Sequence, residues 1–179
     1  MTHRITDLDD PAWLGLFTGV RSSWFRLETL QRYDVDYEAV DFERFLLTGH
    51  LKNEPGEWQR MITAHTQAGR ELRRVHVIEE PLTDYLRYEL AVYEHNQQAG
   101  EDIQVLPSVR GEWPDDLPRG YDFWLFDNAD VWKMIYEDDG RFIASEQVTD
   151  PVEIGQCRRW RDTALARSIP LPDYKVRAA

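Results

Sequence analysis

The chain has 179 residues, 42% of them hydrophobic, which suits one domain with a substantial core and excludes a disordered chain. Its 33 acidic and 21 basic side chains leave a net charge of −12, which argues against direct binding of nucleic acid and favours any partner with a basic face. No apolar run approaches the ~20 residues that cross a bilayer, the start "MTHRITDLDDPAW" lacks a secretory pattern, and a single cysteine, Cys157, excludes an internal disulfide. A cytoplasmic protein is expected.

Asp10 and Pro11 form a cap and first turn, which predicts a short helix carrying "WLGLF". "SSWFRLETL" (Ser22 to Leu30) alternates, with Trp24, Arg26, Glu28 and Leu30 on one face of a strand and Phe25, Leu27 and Thr29 on the other. From Asp36 to Gly49 the positions Val40, Phe42, Phe45, Leu46 and Leu47 predict an amphipathic helix. A second, from Glu57 to Gly69, has Trp58, Met61, Ile62 and His65 as its inner stripe.

"LRRVHVIEE" (Leu72 to Glu80) reads as a strand that Pro81 stops. Thr83 caps a helix whose Leu82, Leu86, Leu90 and Tyr93 share a face, Gly100 closes it, and "DIQVLP" (Asp102 to Pro107) is a further strand. Strand, helix and strand at this length predict two parallel strands with a right-handed crossover.

"SVRGEWPDDLPRGY" (Ser108 to Tyr121) reads as a loop rich in proline and glycine. "DFWLFD", "VWKMIYE" and "FIASEQV" follow as an antiparallel meander, with a hairpin at Asp139-Gly140. Asp150-Pro151 starts a last helix with Cys157, Trp160 and Ala164 inside, and the tail from Ser168 to Ala179 reads as irregular. The expected fold is α/β, with α+β as the alternative. It has a mixed sheet, a strand-helix-strand crossover, a C-terminal meander and flanking helices. Residues 1–70 supply helices and one strand that pack on a main unit over 71–179, the two making one body.

Phosphate-binding glycine loops, HExxH and GxSxG are all missing. The five histidines have no ligand-like spacing and read as structural or solvent-facing, so no catalytic residue, metal or cofactor is expected. Acidic pairs sit at turns, where solvated carboxylates belong. Glu101-Asp102 is the least ordinary of them, since it opens a strand. Ligands of open α/β sheets bind beyond the carboxyl ends of the parallel strands. That places Tyr85, Arg87, Arg110 and Trp113 as binding candidates, with core packing the competing reading for Tyr85 and Trp113. Arg26, Glu28, Arg32 and Tyr33 form a second candidate group, in which a salt bridge between Arg26 and Glu28 is the leading reading. Arg158, Arg159 and Arg161 on the last helix could receive a phosphate, or serve helix dipole and surface ion pairs.

"FRLETLQRYDV", the stretch "VIEEPLTDYLRYELAVYEHNQQAGEDIQVLP", "DFWLFD", "DDGRFIASEQVTDP" and "RRWRDTAL" together resemble an uncharacterised actinobacterial family of the streptomycete type. The resemblance runs from near Leu16 to near Tyr174. Members of that family are often encoded beside helix-turn-helix regulators, which implies a role near transcriptional control. The family supplies no catalytic residue to carry over. The element order is also similar, at fold level, to phospholipase D-like domains, whose signature is H-x-K-x4-D. With Asp127 as the aspartate, Gly120 stands where the histidine belongs and Asp122 where the lysine belongs, which implies that phosphodiester chemistry is lost.

The function expected is therefore a non-enzymatic ligand-sensing or protein-binding module associated with a helix-turn-helix regulator. The alternative is a small hydrolase or transferase acting on a nucleotide or phosphorylated metabolite. A homodimer that completes its sheet is a further possibility.

Overall fold

Polar side chains start three of the helices. Asp10 accepts from the Ala12 N–H at 2.7 Å, Thr83 from Leu86 at 3.2 Å, and Asp150 from Val152 at 2.9 Å. In the computed structural model, which describes residues 3–34, 38–52 and 54–174, the helices are α1 (Pro11–Thr18), α2 (Ala39–Thr48), α3 (Glu57–Gln67), α4 (Asp84–Ala99) and α5 (Pro151–Arg167). The strands are β1 (Arg4–Ile5), β2 (Ser23–Glu28), β3 (Glu71–Glu80), β4 (Asp102–Val109), β5 (Asp122–Phe126), β6 (Asp130–Tyr136), β7 (Phe142–Val148) and β8 (Ile169–Pro170).

All eight strands join one mixed sheet in the order β1-β7-β6-β5-β2-β3-β4-β8, so the α/β reading holds. The expected crossover is present: β3 and β4 run parallel, with His76 opposite Val105, and α4 connects them. A second parallel pair, β2 with β3, adjoins it, and β2 lies between β3 and the meander. Helix α5 covers one face, where Cys157 and Ala164 pack against Phe25, Leu27, Val75, Val77, Phe123 and Leu125. On the opposite face Trp13, Phe17 and Ile62, from α1 and α3, pack on Trp24, Leu72, Trp124 and Phe126. Beside them Leu86 and Tyr93 of α4 cover Ile78, Ile103 and Val105.

Several expectations need correction. The tail reads as irregular in sequence, yet Ile169 and Pro170 pair with Val105 and Gln104 as β8, and a 3-10 turn follows over Leu171–Asp173. Strand β4 extends through Ser108 and Val109, the first two residues of the expected loop, because β3 continues opposite them to Glu80. The helix expected from Asp36 begins at Ala39 among the described residues; Asp36 and Tyr37 lie outside them. Of its predicted stripe only Phe42 and Phe45 pack inward, against Tyr85 and Tyr88, while Val40, Leu46 and Leu47 are more than half exposed. The same apolar residues that give the pattern overrun the narrow strip the core offers. Nothing in the sequence signalled β1, whose two residues are too few to show a period.

The hairpin at Asp139-Gly140 forms as expected, and its tip is fixed from outside. Gly140 has φ +92, its carbonyl accepts from the Asp34 N–H at 3.0 Å, and a Cβ built there would lie 2.4 Å from the Arg32 carbonyl oxygen. A side chain would be strained in conformation and would collide with backbone. Gly140→Ala should therefore cost ~1–3 kcal/mol in urea denaturation, and an unchanged midpoint would contradict this packing.

Candidate functional site

Along the sheet face opposite α5 the side chains change from apolar to charged. Parallel register sets Arg26 beside Arg74 and Glu28 beside His76, and antiparallel register sets Arg26 beside Trp124. Arg26, Glu28, Arg74, His76 and Asp122 are all buried, although strand alternation in β2 reads as a charged face. A charge removed from water survives only when paired and hydrogen-bonded. Arg74 Nη1 donates to both Glu28 oxygens at 2.9 Å, and its Nε lies 3.3 Å from Glu101. Arg26 reaches Glu28 at 3.4 Å, Asp122 at 3.2 Å and the Tyr136 hydroxyl at 3.1 Å. The Trp124 ring faces both guanidinium groups, at 5.2 and 5.6 Å. Asp122 also accepts from the Thr29 N–H at 2.8 Å, from the Thr29 hydroxyl at 2.6 Å and from the Tyr33 hydroxyl.

The electrostatics follow from this pairing. Burial works to raise the Glu28 carboxyl, but Arg74, Arg26, His76 and the Tyr93 hydroxyl outweigh it and hold it below the usual range. Burial works to lower Arg26, and Tyr136, Asp122 and Glu28 outweigh that, so its proton is held more tightly than usual. His76 is pushed down, chiefly by burial.

Glu28, His76 and Glu89 bring three potential metal-ligand atoms within 4.8 Å of one another. Their donors, however, are already engaged. His76 Nε2 faces the Leu30 carbonyl at 2.7 Å and so carries a proton, its Nδ1 faces the Tyr93 hydroxyl at 2.9 Å, and both Glu28 oxygens are bound by Arg74. A guanidinium so close disfavours a second cation, so this arrangement fits an ion-pair lock better than a metal centre.

Above the lock lies a pocket of about 190 Å3, lined by Arg32, Tyr33, Asp34, Glu38, Ala39, Phe42, Glu43, Leu46 and Tyr85. It is comparable to a ~150 Å3 cavity that admits benzene, so it suits a small ligand. Tyr33 connects it to Asp122 below, and the Tyr85 hydroxyl lies between Glu38 at 3.1 Å and Glu89 at 3.2 Å. Burial raises Glu38 to about 7; Glu28 adds to this, while the Tyr85 hydrogen bond and Arg74 oppose it. Burial, Glu38 and Glu28 together raise Glu89 to about 8. A carboxyl near 7 inside a pocket is a mark of a functional site.

Of the residues singled out from sequence, Arg26, Glu28, Arg32, Tyr33, Tyr85 and Glu101 converge on this lock and pocket. Arg87, Arg110, Trp113 and Asp127 do not. Arg87 is exposed on α4, and Arg110 is exposed, donating to the Pro81 carbonyl at 3.0 Å. Trp113 packs against the cluster under α5, on the other face of the sheet from Tyr85, and donates to the Pro118 carbonyl at 3.0 Å. Asp127 is a cap: its carboxylate accepts from the N–H groups of Arg21, Ser22 and Ser23. Arg158 and Arg161 hold Asn128, and Arg159 holds Gln156, so the basic cluster is engaged with protein partners. Sequence reasoning missed Glu38, Arg74, Glu89, Tyr93 and Asp122. Arg74 was discoverable, because a charge between apolar residues of a central parallel strand faces a covered side.

Arg74→Met leaves Glu28 and Glu101 buried without their main cation and should lower stability by ~3–5 kcal/mol in urea denaturation, against under ~0.5 kcal/mol for Arg87→Ala. Equal effects would place Arg74 outside the lock. At Asp127, burial acts to raise the carboxyl, but the Ser22 and Ser23 N–H groups, the Ser22 hydroxyl and the Arg21 N–H hold it at about 2. Its contribution is complete above the ordinary value of 3.8 and is lost as pH falls to about 2. Asp127→Ala should cost ~1–2 kcal/mol at neutral pH. The gap to the parent should close across that acid window; a gap that persists there would contradict the cap.

The described fold is similar to that of a phospholipase D family member, Nuc from Salmonella typhimurium, with a TM-score of 0.56 and 7% identity over 95% of this chain and 97% of that one. At that identity the likeness is one of fold. TrmBL2, an archaeal chromatin protein, aligns with a TM-score of 0.47 and 6% identity over 94% of this chain and 54% of that one. No curated protein matches the chain significantly. Residues 11–176 match the domain of unknown function DUF6879, and the chain belongs to that family.

Proposed function

We propose that this domain is a non-enzymatic ligand-sensing module, with the ligand seated between α2 and Tyr85 and the signal passed to a basic protein partner of the helix-turn-helix regulator kind. The pocket over the ion-pair lock carries this reading. Its floor is fixed by hydrogen bonds to buried acids, because Tyr33 is tied to Asp122 and Tyr85 to Glu89. Its roof is not built the same way: α2 has no buried residue, so contacts from a ligand to Phe42 and Leu46 would be a large share of what holds that helix. Ligand occupancy thus reaches an exposed helix directly. The charge of −12 supports a basic partner.

A second reading, a small hydrolase or transferase, is favoured by one observation: Glu38 at about 7 is matched to acid–base work at neutral pH. Against a phosphorylated substrate stands the lining, which holds Asp34, Glu38 and Glu43 for one cation, Arg32. The Tyr33 and Tyr85 phenols are pushed well above their usual range, by burial first and nearby carboxylates next, and so are poor proton donors.

Ala39 lines the pocket, so Ala39→Trp should fill it. A screen of small metabolites by NMR should find ligands that shift Tyr33, Phe42 and Tyr85 resonances, and the substitution should weaken them by at least ~10-fold. Ligands indifferent to Ala39→Trp, or turned over by the protein, would contradict the sensing reading.

A further inference from the structure

Resting on the reading that this pocket binds a ligand, we propose that the ligand is a small organic cation, an amine, guanidinium or quaternary ammonium, and that it displaces a proton shared by Glu38 and Glu89. The lining points to charge first. Three carboxyl groups face the pocket against one guanidinium, and Tyr33, Phe42 and Tyr85 supply aromatic surfaces of the kind that hold cations. An anion would be repelled, and a neutral apolar ligand would desolvate the Glu38 carboxyl without adding a partner to the Tyr85 hydroxyl it already has.

The second observation is a hydrogen-bond count. The Tyr85 hydroxyl lies 3.1 Å from Glu38 Oε2 and 3.2 Å from Glu89 Oε1. A phenol has one proton, so it donates to one carboxylate only. The other contact is a hydrogen bond when that carboxyl carries a proton of its own and donates to the phenol oxygen. Both contacts are hydrogen bonds at once only when the trio retains one proton between the two carboxyls.

The surroundings do not neutralise the pair by other means. Tyr88 and Tyr93 face it from α4 and Glu28 from β2; the Tyr93 hydroxyl that reaches Glu89 also donates to Glu28, and Arg74 from β3 is already bound to Glu28 and Glu101. On α2, Asp41 is paired with Arg44 and Lys52, and Glu43 adds negative charge; Arg32 and Asp34 line the pocket with opposite charges. Burial is the main reason the pair keeps a proton near neutral pH. A ligand cation against Glu38 supplies the missing positive charge. The carboxyl ionises, Tyr85 remains hydrogen-bonded, and the proton leaves to solvent, so one cation enters as one proton departs. Proton and cation compete. Affinity therefore rises with pH up to about 8 and levels off above it.

The test titrates the full chain with butylammonium, guanidinium and tetramethylammonium chlorides, with sodium butyrate and butanol as controls. NMR locates binding, and calorimetry in two buffers of different ionisation enthalpy counts protons. A cation should perturb the pocket while butyrate and butanol do not, with buffer-dependent heat near neutral pH. Glu38→Gln should weaken the cation by ~10-fold or more with an unchanged spectrum of the fold. Glu89→Gln should keep the Tyr85 contact through its amide and reduce, without abolishing, the proton release, because burial still raises Glu38. Butyrate or butanol in the pocket, blocked by Ala39→Trp while the cations fail, would retain a ligand pocket and overturn the cation. Cation binding without buffer-dependent heat would overturn the exchange. Perturbation by none of the probes would overturn the proposal, leaving the metabolite screen to decide whether the pocket binds anything.

Discussion

Two guanidinium groups stand side by side inside this protein, and the rest of the structure is arranged to make that tolerable. Arg26 and Arg74 are register partners on adjacent parallel strands, both buried. Left alone they would repel each other in a medium that screens little. Glu28 comes from the same strand as Arg26, Asp122 from the antiparallel neighbour, and Glu101 from the residue just before the crossover's second strand. A slip of one residue in β2 would turn Arg26 and Glu28 into the aliphatic layer beneath α5. The ion pairs thus specify the register in which β2 joins the meander to the crossover.

The neutralisation overshoots. Around the two arginines, Glu28, Glu89, Glu101 and Asp122 are buried: four acids for two cations. Glu38 adds a fifth at the edge of the pocket. Excess acid in a desolvated place retains protons: burial raises the Glu101 and Asp122 carboxyls inside the lock, and it raises Glu38 and Glu89 beside the pocket. The stability of the core and the chemistry of the pocket are in this sense one electrostatic fact. Tyr33 and Tyr85 mark the border, each with one edge in the pocket and a hydroxyl on a carboxylate below.

Much of the frame was legible in the sequence because its signals are local. Caps at Asp10, Thr83 and Asp150, the turn at Asp139-Gly140 and the apolar runs of β3 and β5 depend on neighbours within a few residues. The crossover followed from length alone. The short edges β1 and β8 were not legible, since two residues show no period and their pairing is set by distant strands. The site was half legible. Arg26 with Glu28 could be seen on one strand face, and Tyr33 and Tyr85 were named, though for separate reasons. Their convergence with Arg74, Glu89 and Asp122 depends on sheet order and on a second parallel pair, which no local pattern encodes. Arg110, Arg87 and Trp113 were chosen by the rule for strand ends, whereas the pocket formed on one face, under α2.

The central claim, that a buried charge lock leaves a proton-sharing carboxyl pair at the pocket floor, is tested most directly by following the side-chain carboxyl carbons of Glu38 and Glu89 by NMR across a pH titration. Midpoints near 7 and 8, with each resonance responding to both events, are the predicted result. Independent midpoints near the ordinary glutamate value of 4.5 would contradict it.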